Sequence, residues 1–338
     1  MSSPVKTVDA PCAHCGEYQH ETLWSGSEHE YDNTTDESFA FVRCSSCGTV
    51  RLNPRPDVSE LGRIYPSNYY AYGLLAKDPD RAPGFAQRIK IRMYQRRLLA
   101  LLDRLGKEGT IRLLDVGCAD GRLLNWYKDS SAGDRIETHG IELSEKAADA
   151  ARSHGHRVVT GRFEVDRELE PGSFDLILAY HVIEHVDDPV AFATRAAELL
   201  VPGGLFVAAT PNIDSVDVKR FRAHWGGNHF PRHWTLYDPE TIERLARQIG
   251  LRVERIEYQT NPIFWVWTCH SWLRGRFPER RWPDRAFPTV GIFHASPLSF
   301  VLLSIFTTVD IVLRAITGKT GSMAAEMRKP PTAGSAPP

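Results

Sequence analysis

LLDVGCADGRLL, Leu113 to Leu124, decides the fold of this 338-residue chain. An apolar run ending at Val116 enters a tight turn of small residues, Gly117, Ala119 and Gly121, after which Arg122, Leu123 and Leu124 begin a helix. Such a turn lets backbone approach a ligand closely and aims free amide groups at its anionic part. The spacing Asp115-x-Gly117-x-Ala119-x-Gly121 is one residue shorter than the dinucleotide fingerprint GxGxxG, which points to a different adenosine cofactor. The next strand-like run ends in HGIELS and places Glu142 at its carboxyl end, 21 residues after Gly121. A carboxylate there can accept two hydrogen bonds from a ribose diol. An isolated acid in that position also reads as a helix cap, but Ser144 is the better cap, which leaves Glu142 free.

Outward from this string, apolar runs alternate with helix-like stretches. The strand-like runs are Ile111 to Val116, Thr138 to Leu143, Arg157 to Thr160, Phe174 to Tyr180, Leu205 to Thr210 and Arg252 to Tyr258. The helices between them fall at Leu123 to Lys128, Glu145 to His154, Pro189 to Leu200 (closed by VPGG) and Pro239 to Ile249 (closed by Gly250). This rhythm predicts an α/β class protein with a doubly wound, Rossmann-like, mostly parallel sheet over residues 84–260. Residues 261–320 break it as an aromatic, arginine-rich and then apolar helical insertion, and residues 321–329 return as a final, seventh strand. Residues 330–338 have too little to bury and read as a disordered tail. Residues 1–75 hold four of the six cysteines and cannot bury much core; they form a separate module and linker, joined to the domain by a helix near Gly84 to Gly106.

Leu113 to Asn212 resembles the class I S-adenosylmethionine-dependent methyltransferases, through LLDVGCADG, GIELS, FDLILAYHVIEHVDDP and LLVPGGLFVAATPN. The resemblance implies a seven-stranded methyltransferase sheet, S-adenosylmethionine as cofactor, a turn of Asp115, Gly117, Cys118, Ala119 and Gly121 around its methionine portion, and Glu142, followed by Leu143, at its ribose. Where relatives often carry an acid for the adenine, this chain has Gly161-Arg162-Phe163.

Ligands of open α/β sheets bind beyond the carboxyl ends of the strands, which places Tyr180, His181, Glu184 and His185 beside the cofactor. Methyl transfer from a sulfonium needs in-line alignment and, for a hydroxyl acceptor, a base; histidine suits that task at neutral pH. His181 is one candidate. His229 and His233, in FRAHWGGNHFPRHW, are the others, because this stretch resembles the aromatic, histidine-bearing loop that closes over the acceptor in glycan- and small-molecule-directed relatives. HVIEH also fits the inverted zinc-protease pattern HxxEH, which requires a helix; FDLILAY before it reads as a strand and argues against that reading.

CAHCG at Cys12–Gly16 and CSSCG at Cys44–Gly48 are two matched knuckles with 28 residues between Cys15 and Cys44. Cys12, Cys15, Cys44 and Cys47 therefore predict a closed, structural zinc site in a zinc-ribbon-like module; a redox pair is the competing reading. Together with the linker after it, the module resembles that of bacterial sugar and natural-product methyltransferases. Tyr65, Tyr69, Tyr70 and Tyr72 of that linker are expected to pack module on domain.

With 41 basic against 42 acidic residues the chain offers no broad basic surface, so an RNA methyltransferase using the zinc module is the alternative rather than the leading expectation. The leading one is O-methylation of a sugar, a lipid-linked glycan or a secondary metabolite; C- or N-methylation of a small molecule is a further alternative. The N-terminus carries no signal-like apolar run, so a cytoplasmic protein is expected. Within residues 272–316, five arginines and several aromatic rings precede the apolar run Leu298 to Ile316. Asp310 and Arg314 interrupt that run, which argues against a spanning helix. A helix packed on the protein or in a homodimer is expected first, and peripheral contact with the inner face of a membrane second.

Overall fold

The computed structural model of the chain describes residues 4–69, 84–294 and 296–331. Its strands are β1 (Thr7–Val8), β2 (His20–Ser27), β3 (Ser38–Cys44), β4 (Val50–Leu52), β5 (Arg55–Pro56), β6 (Ile111–Val116), β7 (Ile136–Glu142), β8 (Arg157–Thr160), β9 (Phe174–Tyr180), β10 (Leu200–Pro211), β11 (Thr235–Leu236), β12 (Arg252–Gln259) and β13 (Ser322–Arg328). Seven of them form one sheet in the order β12-β13-β10-β9-β6-β7-β8. Only β13 runs against its two neighbours, as a strand that enters after the helical insertion.

Alternation along β9 explains the layering. Leu176 and Leu178 point into an apolar cluster with Leu98, Leu101, Leu113 and Tyr127, while Ile177 and Ala179 point into another with Phe192, Phe206, Ile242 and Leu245. Both faces are covered, so the strand reads as an unbroken apolar run. Ser144 forms the predicted cap, its Oγ accepting from Ala147 N; Asp188 likewise accepts from Val190 N and Ala191 N, and Asp238 with Thr241 closes a capping box. VPGG does not close the helix before it. Pro189–Leu199 ends at Leu199, and Val201–Gly204 form the irregular start of β10, whose register with β9 shifts between Leu200 and Leu205.

The N-terminal segment folds into a four-stranded antiparallel sheet, β11-β4-β3-β2. Its fourth strand comes from residues 235–236, which the sequence pattern assigns to the other domain; Thr235 pairs with Arg51 and Leu236 with Val50. The module expected within residues 1–75 is thus completed by the loop after β10. The knuckles also rest on helix Pro239–Gln248, through Gln248 Nε2 to the His14 carbonyl and Arg244 to the Cys47 carbonyl. Tyr65 and Tyr69 pack between the two parts, whereas Tyr70 and Tyr72 lie outside the described residues, as do residues 332–338 of the expected tail.

In the insertion, helices Pro262–Arg276 and Pro297–Thr317 pack on each other. Asp310 accepts from Asn261 N at 2.6 Å and Trp265 Nε1 at 2.7 Å, and Arg314 donates to the Tyr258 carbonyl at 3.0 Å. Both polar groups therefore turn toward the protein. The opposite face of the helix is bare and apolar, exposing Phe300, Val301, Ile305, Ile311, Val312 and Ile316. Packing on the protein accounts for one side of this helix only.

Candidate active site

Gly117 and Glu142 line one cleft of about 190 Å³, with Val116, Ile141, Phe163, Val182 and Phe192 as apolar walls and Leu143, Gly161, Arg162, His185 and Trp234 around them. Glu142 is fixed rather than free: one carboxylate oxygen accepts the Ala119 amide at 3.0 Å and the other the Ser144 amide at 3.0 Å. Each oxygen keeps a lone pair for a hydroxyl donor. The turn is tied to β7 by Gly117 N to Ile141 O at 2.8 Å, and Gly117 has φ 74°. Gly121 serves packing. A Cβ there would stand 2.9 Å from that of Ala151, so only glycine lets the two following helices approach.

Other expected residues sit behind the cleft rather than on its wall. Asp115 is buried, and burial followed by repulsion from Glu142 pushes its carboxyl up to about 8. Tyr180 packs its ring edge-on to Tyr94, with centroids 6.2 Å apart. The Cys118 thiol is buried against Gly140, where an added Cβ would come within 2.4 Å of Sγ. Only its backbone belongs to the turn.

His181 closes β9 in a left-handed conformation, φ 57°, held by its amide on the Ala209 carbonyl at 2.8 Å. Its Nδ1 lies 3.0 Å from Glu184 Oε1, and Glu184 is fully buried. Burial alone would raise the Glu184 carboxyl, but the His181 hydrogen bond and the surrounding histidines hold it at about 2. Residues 181–185 form a turn and not a helix, which removes the protease reading of HVIEH.

His185, His229 and His233 cluster behind this turn, with ring centroids 4.6 Å apart for His185 and His233 and 4.9 Å for His229 and His233. His229 stacks on Trp267 at 5.1 Å, with its Nδ1 2.5 Å from Glu30 Oε2 and its Nε2 3.4 Å from the Tyr69 hydroxyl. His233 turns Nδ1 to the Gly227 carbonyl at 2.8 Å. Burial and then neighbouring charges depress both, His233 to about 3 and His229 well below its usual value. They stay neutral and tied to protein partners, which suits positioning better than proton transfer. Of the three histidines proposed as bases, only His181 keeps substantial solvent access, at 38% of its side chain.

The four cysteines are brought together. Cys12 and Cys47 sulfurs are 3.5 Å apart, as are those of Cys15 and Cys44, and all four lie within 4.8 Å of one another. Edges of a tetrahedral zinc–thiolate site are about 3.8 Å, so the donor set fits that ion. Gly16 and Gly48, at φ 76° and 73°, make the two knuckle turns.

Val58 and Leu61, from the N-terminal segment, also line the cofactor cleft. Nothing in their local sequence marks them, because they reach the cleft only once the module docks. Glu164, the residue immediately after Gly161-Arg162-Phe163, is at the cleft but is ion-paired to Arg162.

Residues 90–256 match a protein family described as a methyltransferase domain. The ubiquinone biosynthesis O-methyltransferase of Thiobacillus denitrificans is 33% identical over 176 residues, covering 47% of this chain and 73% of that protein. The protein of the same name from Cereibacter sphaeroides is 31% identical over 170 residues, covering 47% and 67%. Among solved structures, the [4+2]-cyclase SpnF superposes with a TM-score of 0.51 at 16% identity, covering 82% of this chain and 98% of that one. At that identity the likeness speaks for the fold alone. This chain belongs to the class I S-adenosylmethionine-dependent methyltransferases, and it is an enzyme of that class.

Proposed function

We propose that the enzyme transfers the methyl group of S-adenosylmethionine to a hydroxyl of a small acceptor such as a sugar, a lipid-linked glycan or a secondary metabolite, with His181 as the base. The observation that carries this is the pairing of solvent-accessible His181 with buried Glu184 at the carboxyl end of β9. The carboxylate fixes the imidazole through Nδ1 and steadies the imidazolium it becomes on taking the acceptor proton. When bound, the cofactor supplies an already activated methyl group. Glu142 would accept from its ribose hydroxyls, the Gly117 turn would present amides to its methionine end, and Phe163 and Val182 would flank its base. Relatives named as O-methyltransferases support an oxygen acceptor.

Cys12, Cys15, Cys44 and Cys47 would hold zinc as a closed structural site, leaving no open position for chemistry. Its role is to keep β3, β4 and β11 in place and, through them, the loop carrying His229 and His233.

Acceptor delivery from a lipid surface is favoured by exposed Arg276, Arg280, Arg281 and Arg285, interleaved with exposed Trp272, Phe277 and Trp282, next to the bare face of helix Pro297–Thr317.

The test is incubation of purified enzyme and methyl-labelled cofactor with fractionated small-molecule and envelope-lipid extracts, with the product's labelled position read by mass spectrometry. Label on oxygen, lost in Glu142→Ala and in His181→Ala, supports the reading; label on carbon or nitrogen, or full activity of His181→Ala, defeats it.

A further inference from the structure

Glu184, His185 and His233 each bring one potential ligand atom within 4.8 Å of the other two. Their hydrogen bonds fix what each can offer. His185 Nδ1 faces the Arg232 carbonyl at 3.1 Å and the Tyr65 hydroxyl at 2.9 Å, and His233 Nδ1 faces the Gly227 carbonyl at 2.8 Å. A carbonyl only accepts, so His233 Nδ1 carries its hydrogen, and His185 Nδ1 does so with the Tyr65 hydroxyl as a second acceptor; both Nε2 lone pairs then remain for another partner. A backbone carbonyl on the far nitrogen is the usual way a metal-binding imidazole is aimed. Glu184 spends Oε1 on His181, while Oε2 is buried and has no hydrogen-bond partner among the described residues. A fully buried carboxylate oxygen with no donor is costly unless something cationic meets it. The arrangement is also held from two sides, because Trp234 N and Thr235 N both donate to the Glu184 carbonyl, at 2.7 and 3.2 Å.

We infer that Glu184, His185 and His233 bind a divalent transition-metal ion, and that this ion receives the acceptor hydroxyl. Two imidazoles and one carboxylate suit manganese, iron, cobalt, nickel or zinc better than magnesium, and three protein ligands leave positions open. His185 lies on the wall of the cofactor cleft, so the site borders the place where acceptor and methyl donor would meet. This part of the inference rests on the hydroxyl-methylation reading above. The ion would lower the pKa of the coordinated hydroxyl, whose proton passes to His181. The alkoxide oxygen then bonds to the methyl carbon as the carbon–sulfur bond breaks, and its electron pair neutralises the sulfonium. Glu184 serves both halves of the step, one oxygen on the ion and the other on the base.

The test uses Co²⁺ alone as probe on the full chain, with metal content measured by mass spectrometry and the visible spectrum recorded. The expected result is two bound equivalents, one with thiolate charge-transfer bands from the cysteine site and one with weaker nitrogen–oxygen bands. The second should be lost in Glu184→Gln and His233→Gln. Loading that stops at the thiolate equivalent, or a nitrogen–oxygen band unchanged in Glu184→Gln, overturns the site, and the wild-type spectrum decides the first point even if a variant does not fold. A parallel calorimetric titration with S-adenosylhomocysteine separates the two readings: Co²⁺ bound without nucleoside binding leaves the metal site standing and removes the ion's proposed part in methyl transfer.

Discussion

Arg232, in the loop after β10, places its guanidinium against the Glu28 carboxylate of the N-terminal segment, and neither side chain reaches solvent. The same guanidinium reaches Glu30 Oε2 at 3.3 Å, donates to the Ile64 and Phe230 carbonyls, and lies over the ring of Tyr31 at 4.6 Å. Glu30 in turn meets His229, so one buried ionic group ties the zinc-type module to the histidine loop.

Arg232→Ala leaves two carboxylates buried beside one another without their cation. Removing one partner of a buried pair costs on the order of 3–5 kcal/mol. The expected outcome in urea is an unfolding free energy lowered by that amount, read as an earlier midpoint at unchanged slope, with methyl transfer falling alongside. A variant as stable as the parent would show that the pair contributes nothing to the docking.

Glu142→Ala should weaken cofactor binding by roughly 10- to 100-fold, the worth of charge-assisted hydrogen bonds to a diol. Isothermal titration with S-adenosylhomocysteine measures it. Gly121→Ala should lose stability rather than specific affinity, because its Cβ meets Ala151 and its φ of 74° strains any other residue.

Asp115 makes stability depend on pH in a definite direction. Its carboxyl is raised from 3.8 to about 8 by burial and then by Glu142, so the folded chain keeps a proton that the unfolded chain has released. With more protons on the folded state, stability without cofactor falls as pH climbs from about 4 to about 8. Asp115→Asn should flatten that slope in melts taken across the range.

Removing the metal proposed at the four cysteines should loosen more than the N-terminus. The Cys44 strand pairs with β4, and β4 pairs with β11, which follows His233 by two residues. Cys44→Ser is expected to speed hydrogen exchange in residues 225–237 as well as 38–52. Exchange confined to the knuckles would separate the site from the loop.

Vesicle flotation tests the bare helix. Binding to anionic vesicles, weakened by Ile305→Asp with Ile311→Asp and by added salt, is the expected outcome. If the protein stays with buffer and sediments as a dimer that the same changes dissociate, the face belongs to a second copy.

The alternating runs, the Gly117 turn, the acid that ends β7 and the two CxxCG knuckles were all legible in sequence. Each is set by local periodicity, backbone freedom or spacing, which a chain carries whatever it later packs against. Tertiary structure alone decided which histidines stay buried, because His229 and His233 are similar in local sequence to any loop histidine until Trp267, Glu30 and Gly227 surround them. It also turned Asp310 and Arg314 inward, lent β11 to the N-terminal sheet, and brought Glu184 to two imidazoles, one from its neighbour and one from 49 positions downstream. Such contacts join residues far apart in the chain, and their energies depend on burial and direction that no local pattern encodes.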